Sequence, residues 1–297
     1  MKHLLSLLLI TILYSAHASD SLQTPGFHRH WGDFKEDFHT NRLYCYWGYN
    51  RAFFSLSDIT FHGPGYRFTI YDVSARDRPS KLTANNYLNP VNITVPQYNG
   101  RLGFYIKHNV HLTLGIDHMK YVMVQNQTVK MSGIIDNSVS DTHAGVYYQQ
   151  DKQLTTDFLR FEHTNGLNLI SVDGEYLLPI YHTRKDILHI GWNFGIGGLF
   201  VITKTEVHLM GFGLDNRFHL SGLCFAAKTG PRIDLWRYFF IAFEVKGGYM
   251  DLPWVPIMNE APDRASHHFS FLEYYGVVGL SYKFNERRER LITKKTK

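Results

Sequence analysis

Residues 232–248 read RIDLWRYFFIAFEVKGG, and the parity of that stretch decides the fold. In an extended chain successive side chains point to opposite faces. One face then carries Ile233, Leu235, Arg237, Phe239, Ile241, Phe243 and Val245; the other carries Asp234, Trp236, Tyr238, Phe240, Ala242, Glu244 and Lys246. The first is nearly all large and apolar, the second mixes carboxylates, an ammonium and aromatics. Such a segment separates either a soluble core from water or lipid from a wet interior.

The same parity recurs along the chain. In 98–107 Leu102, Phe104 and Ile106 oppose Asn99, Arg101 and Tyr105, and in 110–117 Val110, Leu112 and Leu114 oppose His111, Thr113 and Asp117. In 168–180 Val172, Tyr176, Leu178 and Ile180 oppose Ser171, Asp173 and Glu175, and in 188–200 Trp192, Phe194 and Ile196 oppose His189, Gly191 and Asn193. In the last segment Leu272, Tyr274, Val278, Leu280 and Tyr282 oppose Glu273, Tyr275, Ser281 and Lys283. Several of these segments exceed the usual strand of about 5 to 6 residues and reach the roughly 9 to 11 that a tilted transmembrane strand needs. A composition with 15% aromatic residues, 24 glycines and only 19% charged residues agrees with strands rather than helices.

The connections add a second regularity. Those at Lys107, His182 and Lys228 read as tight turns; 72–96, 124–157 and 249–268 read as long polar loops. Short turns at one rim and long loops at the other are the habit of transmembrane β-barrels. With Tyr44–Ser55, Tyr66–Val73, Phe158–Thr164 and Phe218–Lys228 as weaker candidates, the sequence predicts an all-β, antiparallel transmembrane β-barrel of about ten strands, within 8 to 12. The rival is a soluble β-sandwich or barrel with the apolar face packed inward. Arg237, the one charge on the apolar face of the opening stretch, is expected at a rim. One discrepancy is visible beforehand: for the short and long loops to alternate, either 124–157 hides a strand or one early strand lies outside the wall.

The start, MKHLLSLLLITILYSAHAS, has a basic residue, an apolar stretch and the small-x-small run Ala16-His17-Ala18, the pattern of a secretory signal peptide over 1–19. An N-terminal segment at 20–43, the barrel at 44–284 and a basic tail at 285–297 complete the expected organisation. Net charge of +5 is mild, and no basic-aromatic module of the kind that reads nucleic acid is present. Cys45 and Cys224 allow one bridge or two unpaired thiols. Histidines at 28, 30, 118, 267 and 268 invite a metal hypothesis, but no His-Glu-x-x-His spacing or cysteine cluster supports one, so exposed loop histidines and no metal are expected. No cofactor motif stands out.

The final strand, EYYGVVGLSYKF, places Leu280, Tyr282 and Phe284 in alternation. That ending resembles the C-terminal assembly signal of Gram-negative outer-membrane β-barrel proteins, with the departure that NERRERLITKKTK follows here. GYNRAFFSLSDITF, PQYNGRLGFYI and EHTNGLN are similar to stretches of an uncharacterised, Bacteroidetes-like outer-membrane family. The resemblance implies an outer-membrane monomer surrounded by lipid and lipopolysaccharide and handled by the outer-membrane assembly machinery through Leu280, Tyr282 and Phe284.

FEHTNGLNLISVDGEY also resembles, loosely, the active-site segment of outer-membrane lipid A 3-O-deacylases. The resemblance would make His163 the base, Thr164 the nucleophile and Glu175 the group orienting the imidazole. Thr164 follows His163 directly, so the two could meet only in a turn, for which Asn165-Gly166 supplies the residues. Three functions stay open: a non-enzymatic envelope protein that is structural or binds through its loops, a lipid A or phospholipid acyl hydrolase, and a narrow channel lined by Arg101, Asp117, Glu244 and their neighbours. Charges inside so narrow a barrel are expected to pair into a packed interior.

Overall fold

The computed structural model describes residues 39–183, 187–213, 217–258 and 263–283. These form fifteen strands. In chain order they are β1 (Arg42–Phe54), β2 (Ser57–Gly63), β3 (Tyr66–Val73), β4 (Ala75–Arg76), β5 (Tyr98–Lys107), β6 (Val110–Met123), β7 (Thr128–Ile135) and β8 (Gly145–Gln153). The second half contributes β9 (Leu159–His182), β10 (Leu188–Lys204), β11 (Glu206–Leu209), β12 (Phe212–Gly213), β13 (Phe218–Leu235), β14 (Phe239–Pro256) and β15 (Arg264–Lys283). One helical turn, α1 (Ala84–Tyr87), lies between β4 and β5, and Thr83 Oγ1 caps it by accepting from the Asn86 amide.

Antiparallel pairing runs β1–β5–β6–β9–β10–β13–β14–β15 and returns to β1, with Arg42 opposite Lys283 and Phe54 opposite Phe271. The wall is therefore a closed ring of eight strands. Closure leaves no free sheet edge in the wall, the condition for a sheet to stand in a solvent that cannot satisfy backbone groups. Tight connections join β5 to β6, β9 to β10 and β13 to β14, all at one end. At the other end the strands run on past the ring. There β2 pairs with the start of β15, β3 with β2, β7 with β3 and β8 with β7, while the β11–β12 hairpin pairs with β9 and β4 with β6.

The sequence-based count of about ten differs for definite reasons. Residues 159–164 and 168–180 belong to one strand, β9, and the Asn165-Gly166 pair makes no turn. Lys228-Thr-Gly-Pro-Arg232, read as a tight turn, sits in the middle of β13. Pro231 has no N–H to give, and the β13–β14 register skips from Thr229↔Val245 to Arg232↔Ala242 around it. Gly230 tolerates the resulting approach, where a Cβ would collide with the Phe243 carbonyl. The opening stretch, conversely, is a hairpin: β13 ends at Leu235 and β14 starts at Phe239, with Trp236 and Arg237 both at positive φ. Because Leu235 pairs with Phe239, the parity of the two faces carries unbroken through the turn, and Arg237 lies at the rim. Both alternatives for the early chain hold: 124–157 contains β7 and β8, and Tyr66–Val73 is β3, outside the wall. Residues 1–38 and 284–297, with the expected signal peptide, basic tail and Phe284, lie outside the described residues.

Two buried clusters flank a charged middle. Around the long-connection end a large apolar core includes Ile59, Phe61, Phe68, Met131, Phe158, Phe161, Leu252 and Phe269. A smaller cluster of Tyr44, Tyr46, Tyr105, Leu177, Phe240 and Tyr275 sits toward the tight-turn end. β15 shows how the environment inverts along one strand. From Ala265 to Phe271 its inward positions are Ala265, His267, Phe269 and Phe271, and Ser266, His268 and Ser270 face out. From Leu272 onward the outward positions are Leu272, Tyr274, Val278, Leu280 and Tyr282, all exposed, while Glu273 and Tyr275 are buried.

Candidate functional site

The charged residues assigned inward by parity are buried in the lumen, except Lys283, half-buried at the end of β15, and most of them are paired. Glu175 on β9 accepts from Thr113 Oγ1 at 2.6 Å and from Asn193 Nδ2 at 2.5 Å, and meets Lys228 Nζ on β13 at 2.7 Å. Lys228 also stands 3.5 Å from Glu244, whose carboxylate takes the Tyr275 hydroxyl at 2.7 Å and Asn193 Nδ2 at 2.6 Å. His111 joins this group through Asn193 (3.2 Å) and the Tyr44 hydroxyl (2.6 Å).

A second group lies nearer the long-connection end. Asp117 is held by Arg101 at 2.7 and 2.8 Å, Lys246 Nζ at 2.6 Å and Asn99 Nδ2 at 2.6 Å, while Asp173 stands 3.4 Å from Arg101 Nε and accepts from Ser171. Toward the tight-turn end Arg232 pairs with Asp234 at 2.8 Å and stacks on Phe240 at 3.6 Å. Among the described residues of the lumen, Arg42, Arg101, Lys228, Arg232 and Lys246 are buried with Asp117, Asp173, Glu175, Asp234, Glu244 and Glu273. Five cations against six carboxylates is close to internal neutrality, which buried ions require. These side chains occupy the lumen between the two apolar clusters.

The three residues proposed for hydrolysis are not brought together. His163 and Glu175 lie twelve residues apart on β9. At about 3.3 Å per residue that separates them by roughly 40 Å. Glu175 belongs to the lumen network, whereas His163 is inside the apolar core at the other end. Thr164 is buried, and the unbroken strand directs it away from its neighbour.

His163 has other partners, which sequence spacing could not reveal because four strands supply them. Its Nδ1 lies 2.9 Å from Thr205 Oγ1, its Nε2 lies 3.3 Å from His267 Nε2, and His267 Nδ1 is 3.3 Å from Ser57 Oγ. Thr205 continues to Thr203 and Ser221 at 3.2 and 2.6 Å. A hydroxyl beside an imidazole is the local geometry of a nucleophile and base. Here Ser57, His163 and His267 are all at most 3% exposed and packed among Tyr121, Phe161 and Phe269, so no substrate reaches them. The chain serves to satisfy polar groups inside the core.

The histidine expectation is corrected in the same way. His118 and His267 are buried wall residues, not exposed loop residues; only His268 of those described is exposed. Among the described residues no group of three His, Cys, Asp or Glu side chains is placed to hold a metal ion. Both cysteines are unpaired, Cys45 facing out and Cys224 buried. Leu280 and Tyr282 of the final strand face outward, each more than 60% exposed.

Outside the lumen, groups at the β7–β8 arm are perturbed. Burial and the neighbouring Lys152 ammonium lower the His143 pKa below its ordinary value, against the pull of Asp157 3.4 Å away. Burial likewise lowers the Lys152 ammonium, which lies over the Phe158 ring at 4.5 Å.

No family model matches the chain, and no curated protein sequence matches it. Among solved structures, the outer membrane protein OprG from Pseudomonas aeruginosa is similar over 83% of this chain and 98% of its own, at 8% identity and a TM-score of 0.37. The outer membrane protease OmpT from Escherichia coli aligns over 86% and 99% at 6% identity and a TM-score of 0.22. The Pseudomonas putida toluene transporter TodX aligns over 82% and 90% at 9% identity and a TM-score of 0.18. Likeness of this depth leaves function to be argued from the chain's own residues.

Proposed function

We propose that the chain is an integral outer-membrane β-barrel that acts without catalysis, through the folded assembly at its long-connection end, and that its lumen conducts nothing. The observation that carries this reading is the inversion along β15. From Leu272 to Tyr282 ten residue steps carry an exposed apolar face over buried polar groups. At about 3.3 Å per step and a tilt of about 40°, that belt is roughly 25 Å tall, the height of the apolar band of outer-membrane barrels. Outward Phe104, Leu114, Leu178, Phe194, Phe225 and Phe243, all exposed, continue it around the ring. A soluble barrel would have the opposite polarity, with Glu175, Lys228 and Lys246 outside.

The lumen supports the non-conducting part: most of its ions are paired with one another, and an apolar core lies at the long-connection end. The geometry gives no support to a hydrolase built on His163, Thr164 and Glu175. The test is a pair of measurements on the full chain. Electrophoresis of the outer-membrane fraction, boiled and unboiled, is expected to show a folded band that shifts on heating. Purified protein in planar bilayers is expected to give no steady conductance. Release as a soluble periplasmic protein would overturn the membrane reading; a stable conductance step would overturn the closed lumen.

A further inference from the structure

Residues 79–96 do not rise away from the barrel with the other long connections; they are pinned against its outer face. Tyr87 packs edge-on against Tyr49 of β1 at 4.8 Å, and its carbonyl accepts from the Tyr49 hydroxyl at 2.6 Å. Lys120 of β6 holds the two ends of the segment, donating to Ser80 Oγ (3.3 Å) and to the Val95 carbonyl (2.9 Å). The height of this strap follows from register. Tyr49 pairs with Tyr98 on one side and Gly276 on the other, and Tyr98 pairs with His118. Gly276 lies within the Leu272–Tyr282 belt, so the strap reaches down over the upper part of the apolar face.

Two features of the strap have no use in water. Leu82, Leu88 and Val91 are 85%, 78% and 85% exposed, more than almost any apolar side chain on the belt itself. Immediately beyond the Tyr49–Tyr98–His118 row stand two cations. Arg51, opposite Tyr274, donates to the Tyr87 hydroxyl at 3.2 Å and to the Asn50 carbonyl at 2.8 Å. Lys120, two residues past His118, has the contacts above; it feels Asp77 as an attracting charge and Arg78 and Arg51 as repelling ones. Among the described residues neither Arg51 nor Lys120 has a carboxylate within ion-pair distance, and Arg78 alone of the three has one, Glu162 at 3.1 Å. Asp77, whose Oδ2 accepts from the Ala52 amide, is the one other nearby carboxylate; it attracts both Arg51 and Lys120 from beyond ion-pair distance and so leaves two cations to share one charge. Cations short of counter-charge at the upper part of the belt, in contact with the strap that carries the exposed leucines and valine, form with them an amphipathic surface.

Resting on the membrane reading above, we propose that this strap is a binding site for an anionic, phosphorylated membrane lipid of the surrounding leaflet. Its phosphate sits on Arg51 and Lys120, and its acyl chains lie along Leu82, Leu88, Val91 and the belt beneath. Arginine and lysine are the residues suited to a phosphate at such a boundary, arginine by its forked donors and lysine as a point charge.

The test uses the full chain, refolded in neutral detergent and first shown to be heat-modifiable, so that failure of the barrel reading is recognised before any lipid is added. Native mass spectrometry then compares retention of phosphatidylglycerol with retention of phosphatidylcholine. The expected result is at least a tenfold preference for the anionic lipid, abolished in Arg51→Gln/Lys120→Gln and kept in Lys130→Gln, which removes an exposed charge on the β7–β8 arm. Leu82→Ser/Leu88→Ser/Val91→Ser, all on the exposed strap surface and outside the core, is expected to lower retention of both lipids. Equal retention of the two lipids by the native chain, or a preference that survives the double glutamine variant, would overturn the site while leaving the barrel intact.

Discussion

Lys228 is the residue whose removal most directly asks whether the lumen is dry. Its ammonium lies 2.7 Å from Glu175 and 3.5 Å from Glu244, and all three side chains are at most 3% exposed. At an effective dielectric near 20 the two attractions are worth about 5 to 6 kcal/mol each, most of which offsets desolvation. Lys228→Met leaves two buried carboxylates facing Thr113, Asn193 and Tyr275 with no cation on either, and breaking a buried pair this way costs about 3–5 kcal/mol. Lys246→Met is the control. Asp117 would keep both contacts to Arg101 and the Asn99 bond, so the loss is closer to a charged hydrogen bond, about 1.5–3 kcal/mol. Adding Glu175→Gln and Glu244→Gln to Lys228→Met removes the stranded charges while keeping acceptors for the same donors, and should restore most of the stability. The assay is reversible urea unfolding from detergent micelles, followed by tryptophan fluorescence and gel mobility. If Lys228→Met and Lys246→Met both fall within about 1 kcal/mol of the native chain, water is solvating those carboxylates, as surface pairs are solvated, and the packed-lumen argument fails.

Three further outcomes follow from single features. Trp236 and Arg237 adopt φ of 50° and 68° in the β13–β14 turn. Left-handed backbone costs a non-glycine residue about 1–2 kcal/mol, so Trp236→Asn/Arg237→Gly should raise unfolding stability by about 1 kcal/mol or more, and a loss would mean that Trp236 anchors the rim. A nitroxide on Cys45, which pairs with Leu102 and Leu280 on the outward face, should be relaxed by oxygen and not by a water-soluble nickel chelate, while buried Cys224 stays unlabelled. Strong nickel accessibility in vesicles would put that face in water. The lowered pKa of His143 means that the unfolded arm binds the proton more readily, so stability is complete above the ordinary histidine pKa and declines as pH falls below about 6.5. Amide exchange in β7 and β8, corrected for intrinsic rate, should therefore quicken from pH 7.5 to 5.5 in the native chain and not in His143→Gln.

What could be read from the sequence was whatever a period of two expresses. Arg101, Asp117, Asp173, Glu175 and Glu244 were placed inward by parity alone, and all are buried. Leu102, Leu114, Leu178, Phe194 and Phe243 were placed outward, and all are exposed. Boundaries were harder, because turn chemistry is local and pairing is not. Thr229-Gly230-Pro231 has the residues of a turn but is held extended between β10 and β14, whereas Trp236-Arg237, with no turn residue at all, is forced into one by the register on both sides. The pairing of Ser57, His163, Thr205 and His267 was illegible for a stronger reason: up to 210 positions separate the partners, and nothing in the spacing of one strand refers to the others. The hydrolase assignment failed on the same ground, since a strand that places His163 in the core necessarily places Glu175 some 40 Å along it.

That inversion of surroundings within one strand also explains why the chain has two cores of different chemistry. On the proposed membrane reading, lipid surrounds the wall, the outward positions absorb the apolar residues, and the lumen is left to polar side chains that must satisfy one another, as Glu175, Lys228 and Glu244 do. Past the belt the outward positions of β15 become Ser266, His268 and Ser270, and the inward ones, His267 excepted, become apolar, as in a soluble sheet. A soluble-type face needs a cover, and a ring of eight strands has no opposing layer of its own at that height. β2, β3, β7 and the β11–β12 hairpin supply the residues of that cover, contributing Ile59, Phe61, Phe68, Met131 and Val207 to the core. The long connections are thus a structural requirement before they are anything else: strands that continue beyond the apolar belt must acquire an interior. A search for function among them should therefore pass over the residues that close that interior and concentrate on those left outside it, the strap at 79–96 first.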